Sequence, residues 1–229
     1  MLAVDNIDVS YGHAKALHGV SVGLQAGEMV FVVGRNGAGK TTLLRTIAGF
    51  LQPTSGGISL DGQSLLGLRP DLVARRGLRF VAQDKKVFSQ LTVRDNLELA
   101  AHACGEKLSV AVERLLSLYP KFEKFMDNKA GGLSGGQREI LLIGRALVGE
   151  PRVLLVDEPT EGLAAIVIDD IFRILSGMKE RISTIIVEQN LSVVGRLADR
   201  IYIMKEGKIE REIKDPAQIT DAKQLERHL

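Results

Sequence analysis

The chain has 229 residues, 45% hydrophobic and 25% charged, the mix of a globular protein with one large core or a core carrying a smaller insert. Its net charge of +2 is too small for a polybasic surface that wraps DNA or holds to a membrane. Cys104 is alone, which excludes an intrachain disulfide, points to a reducing compartment and reads as a buried structural thiol.

The opening MLAVDNIDVSYG carries acidic residues where a secretory signal carries basic ones. No apolar run approaches the roughly eighteen residues of a membrane span, so the expectation is a cytosolic chain that meets a membrane only through partners. LAVDNIDVSY alternates roughly as a strand, and ALHGVSVGLQ follows as another before a turn at Gly27. EMVFVVG is nearly continuous in apolar residues, the pattern of a strand buried on both faces. A helix through Leu43, Leu44, Ile47 and Ala48 stops near Gly49, and GISLDG and LRFVAQ read as short strands. From Asp84 the texture turns helical. Thr92 with Asp95 caps one helix, a second runs from Lys107 to Tyr119 and stops at Pro120, and a third opens at GGLSGGQRE and continues to about Val148. RVLLVDE, STIIVEQ and RIYIMK return as buried strands, with a helix between the first two, and KIEREIK reads as a terminal edge strand. The four histidines, His13, His18, His102 and His228, show no metal-ligand spacing and read as ordinary surface or core residues.

Two stretches carry chemistry. Gly34, Gly39, Lys40 and Thr41 satisfy G-x-x-x-x-G-K-[ST] between a buried strand and a helix start, with Asn36, Gly37 and Thr42 completing the loop. Such a loop turns backbone N–H groups onto phosphates, while the lysine reaches the β- and γ-phosphates and the threonine hydroxyl holds Mg²⁺. VLLVDE then ends a strand in adjacent carboxylates: Asp157 faces the metal shell, and Glu158 can act as general base on an attacking water. A third stretch is the puzzle. GGLSGGQRE looks like a second phosphate cradle, with Ser134 and Gln137 in capping-box spacing around Gly135 and Gly136, yet one nucleotide needs only one cradle.

LSGGQ (Leu133 to Gln137), lying between a phosphate loop and an Asp-Glu strand, resembles the nucleotide-binding subunit of ABC transporters over nearly the whole chain. That resemblance implies an α/β fold, a P-loop NTPase core (residues 1–84 and 150–229) with an antiparallel β subdomain, and a helical subdomain over 85–149 in a single domain. It implies ATP and Mg²⁺ as ligands and a head-to-tail dimer in which Ser134, Gly135, Gly136 and Gln137 of one chain cover the ATP of the other. The two cradles of one chain then serve two nucleotides. The resemblance also assigns Tyr11 to stacking on adenine and Gln83 to contact with Mg²⁺ and water. It further implies transmembrane permease subunits, an external solute-binding protein, and either a homodimer or a second ATPase subunit. Val87 and Phe88 fall where a groove would receive a helix of the membrane partner.

Two positions depart from the family pattern. Ala164 stands where an aspartate usually contacts the other subunit, and Gln189 stands where a histidine usually reaches the γ-phosphate. VEQN with a Gly-Leu-Ala turn is similar to an ATPase subunit of branched-chain amino acid importers; GRNG and DEPTEG lean toward the urea and amide importer subunit, and Ala165 replaces a proline common in both. The expected function is ATP hydrolysis driving import of such a solute, with Glu158 and Gln189 catalytic. The competing classes are an ATP-dependent regulatory module and a nucleic-acid or ribosome-associated ATPase. The latter usually carries tandem cassettes, coiled-coil inserts or basic arms, and this chain shows none.

Overall fold

A strand that is apolar at every residue needs cover on both faces, and several stretches of this chain find it. The computed structural model describes residues 1–84, 86–221 and 225–226; His228 lies outside them. The chain begins with β1 (Leu2–Tyr11), β2 (Ala14–Leu24), β3 (Met29–Val33), α1 (Lys40–Ile47), β4 (Ser55–Leu60), β5 (Gln63–Ser64), α2 (Pro70–Arg75) and β6 (Leu78–Val81). A helical stretch follows, with α3 (Val93–Cys104), α4 (Leu108–Leu118) and α5 (Gly135–Ala146). The last part holds β7 (Val153–Asp157), α6 (Ala165–Met178), β8 (Ser183–Glu188), α7 (Leu191–Leu197), β9 (Arg200–Lys205), β10 (Lys208–Ile213) and α8 (Pro216–Thr220).

Six strands form one sheet in the order β10-β9-β3-β8-β7-β6, parallel except for the edge strand β10. Because side chains alternate faces, β3 serves two cores at once. Met29, Phe31 and Val33 join the residues of α3 to α7, whereas Val30 and Val32 join α1 and the first strands. In β7, Leu154 and Val156 take the first side and Val153 and Leu155 the second. The second core is closed by an antiparallel sheet, β2-β1-β4-β5, whose inward residues include Val4, Ile7, Val20 and Ile58. This is the α/β fold of a P-loop NTPase with an antiparallel sheet packed on one face.

The helix starts follow their capping chemistry. Thr92 and Asp95 exchange bonds at α3, and Ser134 and Gln137 do the same at α5. Elements the sequence pattern does not reveal are short: β5 has two residues, and α2 six, too few for a stripe to repeat. Another is α7, announced only by Asn190, whose side chain accepts from Ser192 N. Cys104 corrects the reading of a buried thiol. It ends α3 on the solvent side and is exposed, with Sγ directed at the Ala100 carbonyl oxygen 3.2 Å away.

Gly136 shows how closely α5 meets α6, since a Cβ there would overlap Val167 Cγ1. Gly136→Ala is therefore expected to cost about 1–3 kcal/mol through overpacking. Adding Val167→Ala should recover most of that loss, as read by chemical denaturation of the single and double variants.

Candidate nucleotide site

The site forms where β3 gives way to α1. Gly39 caps the helix at φ 105°, a conformation open to glycine and not to L side chains, and it provides no side-chain cap for the first turn. A Cβ on Gly34 would overlap the Met204 carbonyl oxygen, so the loop lies directly on the end of β9. The β9–β10 turn pins it further, with Gly207 N donating to Ala38 O at 2.9 Å. Lys40 is only 4% exposed. Its Nζ donates to Gly34 O at 2.9 Å and Arg35 O at 3.3 Å and lies 3.1 Å from Glu158 Oε1. A phosphate entering the loop competes for a cation already stripped of water, where its attraction is strongest.

Opposite stands the end of β7. Thr41 Oγ1 donates to Asp157 Oδ1 at 3.1 Å, while Asp157 Oδ2 is buried without a partner. Burial pushes the Asp157 carboxyl up to about 6; the Thr41 bond opposes this and the Glu158 charge adds to it. Glu158 holds φ 49°, an uncommon left-handed conformation, and its Oε2 accepts from Gln83 Nε2 at 3.1 Å. The same Gln83 Nε2 donates to Glu161 Oε2 at 2.7 Å. Among the described residues no three His, Cys, Asp or Glu side chains cluster as a metal cage. An orphaned buried carboxylate oxygen beside a threonine hydroxyl does suit Mg²⁺, which keeps waters and substrate phosphates as most of its ligands.

A cleft of about 620 Å³ brings together Asn36, Gly37, Gly39, Lys40, Thr41, Thr42, Gln83 and Glu158. Tyr11 is not in its wall; the residue is 48% exposed, with Oη 3.5 Å from Thr42 Oγ1 of the wall. Ser134 and Gly135 are exposed and Gly136 buried, and none of them nor Gln137 lines this cleft. Gln189 is likewise outside it, exposed, with its backbone N–H bonded to Glu188 Oε2 at 3.0 Å. Ala164 occupies the N-cap of α6 and supplies no capping bond.

Residues that sequence reasoning passed over complete the wall. Lys15, Ala16 and His18 come from β2, Glu161 from the loop after β7, and Glu206 and Gly207 from the β9–β10 turn. His18, read as an ordinary surface or core residue, lies in this wall, where its backbone N–H donates to Gly207 O at 2.8 Å. No local motif marks it, because β2 and β10 meet only in the tertiary fold.

The family model described as "ABC transporter" matches residues 17–161. The chain belongs to the ABC transporter family. A high-affinity branched-chain amino acid transport ATP-binding protein, BraG of Pseudomonas aeruginosa, is 38% identical over all of this chain and 99% of its own. A solved ATP-binding cassette of an ABC transporter superposes with TM-score 0.86 at 30% identity, covering 100% of this chain and 98% of that one. A dimeric cassette in a post-hydrolysis state bound to ADP and Pi superposes with TM-score 0.83 at 28% identity, covering 93% and 98%. This ABC ATPase therefore binds ATP and hydrolyses it as the ATPase subunit of a transporter. Among the described residues no helix is long and apolar enough to cross a membrane.

Holding the Asp157 charge in this ATPase should cost stability. Its carboxyl is raised from 3.8 to about 6, so the folded chain binds the proton more tightly than the unfolded one. The resulting penalty is full above about pH 6 and fades as pH falls toward 4. In EDTA at pH 7.5, Asp157→Asn is expected to be more stable than the parent by about 1–3 kcal/mol. Denaturation at pH 4.5 should show that advantage largely gone.

Proposed function

We propose that this subunit drives import of branched-chain amino acids, or of urea or an amide, as one half of an ATPase pair. The observation that carries the paired site is the separation of the two cradles. Lys40 and Thr41 line the cleft, while the exposed Ser134–Gly135 start of α5 stands outside it. The full-length likeness to BraG supports the amino acid reading of the cargo. The dimeric ADP and Pi cassette supports pairing.

In this reading Lys40 and the loop N–H groups of Asn36, Gly37 and Gly39 hold the β- and γ-phosphates, Thr42 borders them, and Tyr11 stacks on adenine. Thr41, Asp157 and Gln83 would hold Mg²⁺, which when bound supplies positive charge to the phosphate oxygens. Glu158 takes a proton from water as its oxygen attacks the γ-phosphorus, and ADP leaves with the electron pair of the broken P–O bond. Gln189 offers an amide donor and a carbonyl acceptor to γ-phosphate and water, and it does not titrate. Ser134, Gly135, Gly136 and Gln137 of the second cassette, either another copy or a non-identical subunit, close over the γ-phosphate.

Permease subunits at the inner face of the membrane would receive the motion, and a solute-binding protein would supply the cargo. Phe88 is the exposed group for that contact: it is 50% exposed, with the Arg145 guanidinium 4.9 Å over its ring, whereas Val87 packs against the helical core. Phe88→Ala should abolish uptake of labelled leucine or urea while leaving the ATPase rate of the purified pair within about twofold, because it lies off the nucleotide cleft. Normal uptake at parental abundance would remove Phe88 from the coupling surface.

Pairing has its own test. Glu158→Gln keeps the shape and removes the base, so with ATP and Mg²⁺ it should accumulate as a closed dimer. Light scattering at tens of micromolar, alone and with a second ATPase subunit, checks this. A monomer in every case would overturn the shared site.

A further inference from the structure

Glu188 ends β8 between the two strands that build the nucleotide site, paired with Val33 of β3 and next to Val187, which pairs with Asp157 of β7. It is 2% exposed, yet nothing in the reaction described above uses it. Among the described residues its carboxylate instead accepts four hydrogen bonds, two on each oxygen. Oε1 takes Thr160 N at 3.0 Å and Thr160 Oγ1 at 2.7 Å. Oε2 takes Gln189 N at 3.0 Å and Asn190 N at 3.2 Å. All four donors are neutral. One oxygen thus holds the loop leaving β7, and the other holds the loop leaving β8.

We infer that Glu188 is a positioning residue that clamps the Glu158 turn and the Gln189 loop to each other through a single buried carboxylate. The Glu158 turn needs such a hold. Glu158 sits at φ 49°, which a non-glycine residue keeps only when its surroundings enforce it. Upstream, Glu158 N donates to Val187 O at 3.0 Å; within the turn, Glu161 N donates to Glu158 O at 3.2 Å. The clamp on Thr160 fixes the far side of the same turn. Its other oxygen sets the backbone of Gln189, so the two groups proposed to flank the attacking water share one anchor. Displacement by about 1 Å at such a site costs on the order of a hundredfold in rate, which makes the anchor matter for turnover.

The chemistry explains why the anchor is a carboxylate. An ionised carboxylate only accepts, with room for about four bonds, and four donors converge here. A glutamine would set its NH₂ against donors of one loop or the other and release that loop. Neither the loop Lys40 nor Thr41 is held by this group, so nucleotide binding stands apart from it.

The inference rests on Glu158 as base and Gln189 as its neighbour, and the experiment separates the two claims. In the purified ATPase assembled with its partner subunit, Glu188→Gln should lower kcat about 10- to 100-fold while KM for ATP stays within about threefold. Thr160→Val, which deletes one of the four donors, should lose part of that rate, and Thr160→Ser should recover what Thr160→Val loses. The double variant Thr160→Val with Glu188→Gln should be no slower than Glu188→Gln alone, because both lesions open one clamp. Parental kcat in Glu188→Gln, or equal loss of kcat and ATP affinity, would overturn the clamp. If Glu188→Gln does not fold, the Thr160 pair decides: equal rates for Val and Ser at 160 overturn it as well. Failure of the underlying assignment looks different, since Glu158→Gln and Gln189→Ala would then themselves turn over at parental rates.

Discussion

The pairing of Val33 with Glu188 and of Val187 with Asp157 brings the carboxyl ends of β3, β8 and β7 level along one edge of the sheet. From that edge issue the phosphate loop, the Gln189 loop and the Glu158 turn. Each strand buries alternate residues in two different cores, so a slip of one residue would exchange Phe31 with Val30 and send every side chain to the wrong layer. The register that packs both cores is therefore the same one that sets Lys40, Asp157 and Glu158 near each other. Packing and geometry are one constraint here.

The edge also gathers charge that the fold alone would not choose. Lys40, Asp157, Glu158 and Glu188 are all buried, and each meets a different solution to the cost of desolvation. Lys40 is held by two loop carbonyls and Glu158, and Glu188 by four neutral donors. Among the described residues Asp157 has only the Thr41 hydroxyl on one oxygen and nothing on the other, and burial pushes its carboxyl up to about 6. The least satisfied group is the one best placed for a cation brought in with the nucleotide. Stability is given up where a ligand can restore it.

The helical stretch answers a separate need. Its interior is continuous with the core on one face of the large sheet, and α5 approaches α6 closely enough that only glycine fits at 136. The helix start nevertheless stays at the surface, with Ser134 and Gln137 engaged in their own capping box and away from the Lys40 cleft. That exposed amino end is what the proposed closure over a second chain's nucleotide relies on.

Much of this was legible in local pattern. The buried strands announce themselves because a strand covered on both faces must be apolar throughout, and the phosphate loop and capping boxes because their bonds span only a few residues. The same locality made Gly34, Gly39, Lys40, Thr41 and the Asp157–Glu158 pair readable as site candidates. Short elements such as β5 and α2 leave no repeat to detect. The exposed Cys104 was misread because residue type reports average burial, whereas its place on the outer side of α3 is set by packing. What the sequence alone determined is the buried strands, the phosphate loop and the Lys40, Asp157 and Glu158 charges proposed to meet the nucleotide. The tertiary structure decided which distant segments close around them: His18 against Gly207, Gln83 across two carboxylates, and Glu188 between Thr160 and Gln189. His18 and Gly207 lie near opposite ends of the chain and Thr160 and Glu188 lie 28 positions apart, and only the folded sheet brings them within bonding distance.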